Sequence, residues 1–211
     1  MTSSKLPIDP TTIPSVDDVH YAAERIAGHA VRTPLLESTY LNDAVGGRLL
    51  IKAEPLQRTG SFKFRGAFNT LSQIPENERE NGVVAFSSGN HAQGVACAAQ
   101  LLGIPAVIVM PEDAPSLKIE NTRRYSAEVI LYDRYTQDRE SIGAEISAKN
   151  GSILVKPYDD PRVIAGQGTV GLEITEQVDG SLDQVLCCVG GGGLISGVAL
   201  AVKETFPDAA I

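Results

Sequence analysis

Cysteine is scarce in this chain of 211 residues, which has three: Cys97, Cys187 and Cys188. An odd number, two of them adjacent inside an apolar run, makes neither a disulfide framework nor a zinc site. The expectation is buried, reduced thiols in a cytoplasmic protein. Basic residues are also few: 18 Lys and Arg stand against 26 Asp and Glu, a formal net charge of −8. That balance argues against a basic face for nucleic acid and a polybasic run for an anionic membrane. No apolar run approaches the ~18 residues of a membrane span. Met1 to Pro14 is polar and proline-punctuated without an apolar core, so no secretory leader is expected. No internal repeat and no low-complexity linker is found.

With 43% apolar residues the chain has material for one large domain or two small ones. Ser15-Val16-Asp17-Asp18 has capping-box spacing and opens a helix carrying Val16, Val19, Ala23, Ile26 and Ala30. Thr33-Pro34-Leu35 breaks it. Strands are expected at 48–53, 83–86, 106–109, 128–131, 152–155 and 184–189. Helices are expected from Ser61, after His91, in 114–125, 137–149 and 162–178, and in 194–206. Glycines 166, 168 and 171 inside a helix lower its propensity but allow close backbone packing. This alternation predicts α/β architecture, three layers deep, with mostly parallel sheet. Ala209-Ala210-Ile211 reads as the opening of a further strand, so the chain is expected to be incomplete at its C-terminal end.

Three segments carry chemistry. Gly190-Gly191-Gly192-Gly193 follows an apolar strand and opens a helix at Leu194. Glycines let N–H groups converge on an anion, and the helix N-terminus adds a favourable dipole. The run fits neither G-x-G-x-x-G nor a Walker loop; its plainer reading is a tight turn. Ser87-Ser88-Gly89-Asn90-His91 also follows a strand and opens a helix, so its amides can hold a carboxylate, or a serine can simply cap the helix. Lys63, in Thr59-Gly60-Ser61-Phe62-Lys63-Phe64-Arg65-Gly66, has aromatic neighbours at a loop-to-helix junction. Desolvation there lowers an amine's pKa and frees it to form a Schiff base; the alternative is a solvated surface charge. Together the segments offer an amine, a carboxylate nest and a phosphate cradle. An aldehyde cofactor bearing a phosphate and acting on an amino acid needs those three.

Ser61-Phe62-Lys63, Arg65-Gly66, Ser88-Gly89-Asn90-His91, Ala165-Gly166-Gln167-Gly168-Thr169 and the run at 190–193 resemble the fold type II pyridoxal-phosphate enzymes. Within these they are most similar to the threonine/serine dehydratase and serine racemase branch. The resemblance is colinear from about residue 15 to the end. It implies a two-domain fold like the tryptophan synthase β-subunit. Residues 1–81 and 160–211 would form the large cofactor domain, incomplete at its C-terminal end, and 82–159 a small inserted α/β domain.

The resemblance further implies that Lys63 forms the Schiff base with pyridoxal 5′-phosphate and that Phe62 lies against its ring. Asn90 would bond the ring 3′-oxygen, and Gly190, Gly191, Gly192, Gly193 and Leu194 would hold the phosphate. Ser87, Ser88, Gly89, Asn90 and His91 would bind the substrate carboxylate. Lys63 would take the Cα proton, the β-hydroxyl would leave, and a 2-oxo acid and ammonia would result. Ser88 stands where racemases place a proton-returning serine. No metal ligand is expected in this chain, and the partners implied are an amino-acid substrate and a second subunit in a homodimer. Threonine/serine ammonia-lyase is the first expectation; serine racemase and 3-hydroxyaspartate ammonia-lyase are alternatives, the last if Arg134 or Arg139 pairs with a second carboxylate. A non-catalytic cofactor-binding fragment is the rival of another class. Ser126 stands where the family has glycine, so its turn is expected to differ.

Overall fold

The computed structural model describes residues 7–211. Helix α1 (Val16–Ile26) begins at the capping box read from the sequence: Ser15 Oγ accepts from the Asp18 N–H, and the Asp18 carboxylate accepts from the Ser15 N–H. Ile8, on the segment before it, is buried against Ala22 and Ala165. Two short elements escaped the sequence reading. Strand β1 (Leu35–Glu37) pairs antiparallel with β2 (Leu50–Lys52), and α2 (Thr39–Val45) lies between them. Neither is long enough to show a periodic apolar pattern.

Strands β3 (Val83–Phe86), β4 (Ala106–Pro111), β5 (Glu128–Tyr132) and β6 (Ile153–Leu154) form a parallel sheet in the order β5-β4-β3-β6. Helices α4 (Asn90–Leu102) and α5 (Ser116–Arg124) carry the chain outward from β3 to β5. Helix α6 (Arg139–Asn150) then returns it to the other side of β3. Right-handed crossovers put helices on opposite faces when the direction of travel reverses. Side-chain burial follows that rule. Val84, Phe86, Val109 and Tyr132 pack with Ile142 and Ile146 of α6, while Val83, Ala85, Ile108 and Met110 join the core containing α4. The result is a three-layer α/β/α arrangement. The reversal between β3 and β6 is a switch point, where a crevice opens beyond the strands' C-terminal ends. The segments leaving those two strands are 87–89 and 155–158.

Against this unit lie α3 (Lys63–Ser72), α7 (Pro161–Gln177) and α8 (Gly193–Thr205). Their backbones nearly touch. A Cβ on Gly197 would sit 2.3 Å from Ile164 O and 2.5 Å from Gly168 N, and one on Gly166 would sit 2.6 Å from Gly66 Cα. The glycines read as packing residues in 162–178 are therefore required by α3 and α8, and the contacts outweigh their poor helix propensity. The first turn of α3 and the first turn of α8 are placed by this packing.

Between α3 and α7 lies a buried ionic cluster. Arg65 is fully buried; its Nε and Nη2 donate to the Glu54 carboxylate at 2.9 and 2.8 Å, and Nη1 donates to Glu173 at 2.6 Å. Lys52 Nζ donates to the same Glu173 at 2.5 Å and to Thr33 O at 2.6 Å. Two cations meet two anions, which is the condition for tolerating charge in a core. Burial alone would raise the Glu173 carboxyl; hydrogen bonds and charge from Arg65 and Lys52 outweigh it and hold the pKa below the ordinary value.

Three expectations need correction. Residues 184–189 do not form a ladder: the segment makes an isolated parallel bridge, Gln184 with Ala210, and Leu186 and Val189 are largely exposed. Without neighbours on both sides an apolar run has nothing to pair with. For the same reason the thiols differ: Cys97 is buried, Cys187 half-buried and Cys188 exposed, all three free. Ser126 keeps the left-handed turn at φ +62° despite its Cβ, and its Oγ accepts from Gln100 Nε2 at 3.3 Å. A single residue in that region costs about 1–2 kcal/mol, which a fold of this size absorbs.

Replacing Arg65 by Met should cost about 3–5 kcal/mol, because Glu54 and Glu173 lose their shared partner. Glu173 contributes stability above the ordinary carboxylate range that is lost as pH falls through its lowered pKa. In the variant the stranded carboxylates favour protonation instead. Denaturant unfolding of both proteins between neutral pH and pH ~4 should therefore show the stability gap narrowing as pH falls.

Candidate active site

Lys63 is the first residue of α3, and the helix is entered from Phe62 without a side-chain cap. Its Nζ donates to Pro157 O at 2.5 Å and lies 5.4 Å from the centroid of the Phe62 ring. No carboxylate pairs with this amine among the described residues. Burial lowers its pKa. A desolvated amine without a counter-ion keeps its lone pair closer to neutral pH, which is what a nucleophilic lysine needs.

One cleft brings together Phe62, Lys63, Gly190 to Gly193 and Leu194. Helix α8 starts at Gly193 behind Gly192, whose φ is +86°, and no side chain caps it. Its first-turn N–H groups are left for an anion. Part of the composition of the tetraglycine has a cause besides an open helix start. A Cβ on Gly191 would fall 2.1 Å from Cγ of Tyr158, so the Tyr158 ring lies against the loop. Tyr158 and Cys188 line the same cleft and were missed in the sequence. Tyr158 sits just past β6 in a segment with no motif of its own; only its place beyond a strand end hinted at it.

The Ser87–His91 segment leaves β3 and enters α4, also without a side-chain cap on the helix. Plain serine capping is thereby excluded as the reason for its composition. The Ser87 N–H is committed to Val109 O at 3.0 Å, and Ser87 Oγ accepts from the Gly89 N–H at 3.2 Å. The N–H groups of Ser88, Asn90 and His91 carry no hydrogen bond among the described residues. Three of the five N–H groups of this loop are thus open to an anion. The His91 ring turns inward: it is buried, and Nε2 meets Val155 O at 3.1 Å. Burial first, then the nearby Lys63 charge, push its pKa down to about 4. His91 is thus a neutral anchor for its loop. Helix α4 packs directly on the start of α3: a Cβ on Gly94 would lie 3.1 Å from the Lys63 carbonyl carbon.

Ser88 faces a second cavity of ≈ 250 Å³, shared with Tyr132, Arg134, Gln137 and Arg139. Arg134 donates to Asp113 at 2.8 Å. Arg139 has no salt-bridge partner among the described residues, and its guanidinium lies 5.4 Å from the ring centroid of Phe86, which precedes Ser87.

An unpaired, desolvated amine beside an uncapped helix start and a second uncapped helix start is the donor set that a phosphorylated aldehyde and an amino-acid carboxylate require. The comparisons agree. Residues 26–211 match the family model described as pyridoxal-phosphate dependent enzyme. The L-threo-3-hydroxyaspartate ammonia-lyase of Pseudomonas sp is 54% identical over 92% of this chain and 60% of its own. The catabolic L-threonine dehydratase of Escherichia coli (strain K12) is 47% identical over 92% of this chain and 58% of its own. Maize serine racemase superposes with a TM-score of 0.90 at 41% identity, over 94% of this chain and 61% of that one. The chain belongs to the fold type II pyridoxal-phosphate-dependent enzymes, in the branch of threonine dehydratases, serine racemases and 3-hydroxyaspartate lyases. It spans about 60% of the length of the curated relatives it matches.

Borohydride reduction of the protein mixed with pyridoxal phosphate should label one peptide, the one containing Lys63, by mass spectrometry. Lys63→Ala should remove both the label and the absorbance that stays with the protein after unbound pyridoxal phosphate is removed by gel filtration. Labelling spread over surface lysines in the wild type would contradict the assignment.

Proposed function

We propose that the protein is a pyridoxal-phosphate-dependent ammonia-lyase for a 3-hydroxy amino acid with a second carboxylate, of the L-threo-3-hydroxyaspartate type. Arg139 carries this reading. It lines the cavity of Ser88, lies over the Phe86 ring at 5.4 Å from its centroid and makes no salt bridge among the described residues, its anionic neighbour being the adjacent Asp138. A guanidinium matches a carboxylate with paired N–H donors. Arg134 is the weaker candidate because Asp113 already holds it. Similarity to a hydroxyaspartate lyase supports the same choice over the threonine/serine ammonia-lyase expected first. A substrate with a neutral side chain would leave Arg139 without use.

Pyridoxal phosphate, when bound, supplies the electron sink for negative charge at the substrate Cα. Phe62 and the N–H groups from Gly190 to Leu194 would hold its ring and phosphate, and Asn90 its 3′-oxygen. The N–H groups of Ser88, Asn90 and His91 would fix the first carboxylate, and Arg139 the second. Lys63 Nζ would attach the cofactor and, once released, take the Cα proton. Residues 82–159, closing against the rest, would exclude water from that transfer. Loss of the β-hydroxyl followed by hydrolysis then yields a 2-oxo dicarboxylic acid and ammonia. Racemisation is the second reading; it rests on Ser88 returning the proton and is supported by the likeness to serine racemase.

Release of 2-oxo acid by this protein should be fastest from L-threo-3-hydroxyaspartate, ahead of L-serine and L-threonine. Arg139→Gln should cut kcat/KM for hydroxyaspartate about ten- to hundred-fold, the worth of a charged hydrogen bond, and leave serine turnover within a few-fold. A preference for serine or threonine in the wild type would overturn the dicarboxylate reading. Cofactor binding without any turnover would instead favour the non-catalytic fragment.

A further inference from the structure

Lys118, in the first turn of α5, reaches across to the loop that opens α4. Its Nζ donates to Asn90 Oδ1 at 3.3 Å. Its stem crosses Gly89, where a Cβ would fall 2.7 Å from Nζ and 3.1 Å from Cδ. No carboxylate pairs with Lys118 among the described residues. The positive end of the α4 dipole opposes a cation at this spot. What the amine finds there is the amide oxygen of Asn90. A second tether joins the same two helices, Asn121 Nδ2 donating to Gln93 Oε1 at 3.4 Å.

An asparagine amide can face either way, with oxygen and nitrogen exchanged. An ammonium has three N–H donors and no acceptor, so it tolerates only one of the two orientations. With Oδ1 turned to Lys118, Asn90 must present its Nδ2 hydrogens on the other side. We propose that Lys118 is a positioning residue that locks the Asn90 amide so that it offers N–H donors, not a carbonyl, to the ring oxygen of the cofactor. The flipped amide would set oxygen against oxygen there, losing a hydrogen bond and adding repulsion. The inference rests on the place given to Asn90 in the proposed function. It is independent of which amino acid the enzyme takes, so the Arg139 kinetics can fail without touching it.

The Asn90 side-chain NH₂ signals of the ¹⁵N-labelled protein, identified by their loss in Asn90→Ala, report the lock directly without any ligand. Lys118→Met should shift those signals and leave the backbone amides of the sheet unchanged; Lys118→Arg should restore them. Titration with pyridoxal phosphate should show Lys118→Met binding about tenfold more weakly and Lys118→Arg close to wild type. In an Asn90→Ala background, Lys118→Met should add nothing further, because the lysine acts through the asparagine. Asn90 signals that do not move in Lys118→Met would overturn the proposal even if the cofactor binds too weakly to titrate. Fully additive losses in the double variant would overturn it as well.

Discussion

The buried guanidinium of Arg65 is the constraint around which the helical layer is organised. Taking one ion into a core costs several kcal/mol, and the cost is met only where every donor is used. Arg65 meets it with Glu54, Glu173, Thr169 and Val31 O, partners drawn from three separate stretches of chain. A one-turn slip of α3 along α7 would strand a charge. The cluster therefore specifies one register more than it adds stability. Lys63 lies two residues before Arg65, on the same first turn. The position of the Lys63 amine is inherited from the position of the buried charge.

Close helix packing extends that order to the glycine loop. Gly66 meets Gly166, and Gly197 meets Gly168, so α3, α7 and α8 pass one another at backbone distance. A methyl group at any of these contacts would push the start of α8 away from the start of α3. Of these helices α3 and α8 leave their N-termini without a side-chain cap where they face the cleft, as α4 does. Elsewhere the chain does cap: Ser15 on α1, Asp138 on α6 and Asp160 on α7 each satisfy first-turn N–H groups. Among the remaining helices α2 and α5 also lack a side-chain cap, so a missing cap marks the site only where other groups converge with it. Omitting a cap costs about 1 kcal/mol of helix stability.

Much of this was legible in the residues. Alternating apolar runs foretold β3 to β6 and the helices between them, because a parallel sheet buried on both faces needs such runs. The lysine and the two helix-opening loops were legible as chemistry because backbone N–H groups at a helix start act through local geometry. What stayed hidden depends on distance along the chain. Glu173 finds Arg65 across 108 residues and Lys52 across 121. Nothing near either partner announces the pairing. Residues 184–189 looked like a strand because they are apolar, yet a strand needs neighbours, and their one bridge is to Ala210. His91 was read with its loop as a backbone contact to the substrate, and nothing in the sequence signals that its ring is a buried anchor on Val155 O.

The segment from Val155 to Tyr158 shows how the separate parts become one site. It leaves β6 at the switch point, where chain topology opens a crevice beside β3. Within four residues it accepts from His91 through Val155 O, accepts from Lys63 through Pro157 O, and lays Tyr158 on Gly191. The Ser87–His91 loop, the Lys63 amine and the glycine loop are thus gauged against a single stretch of backbone. The neutrality of His91 matters here. With a pKa near 4 it donates one N–H and adds no charge beside Lys63 at ordinary pH. A charged imidazole at that place would repel an ammonium and bias Lys63 by pH, whereas a neutral one leaves desolvation alone to lower the amine's pKa.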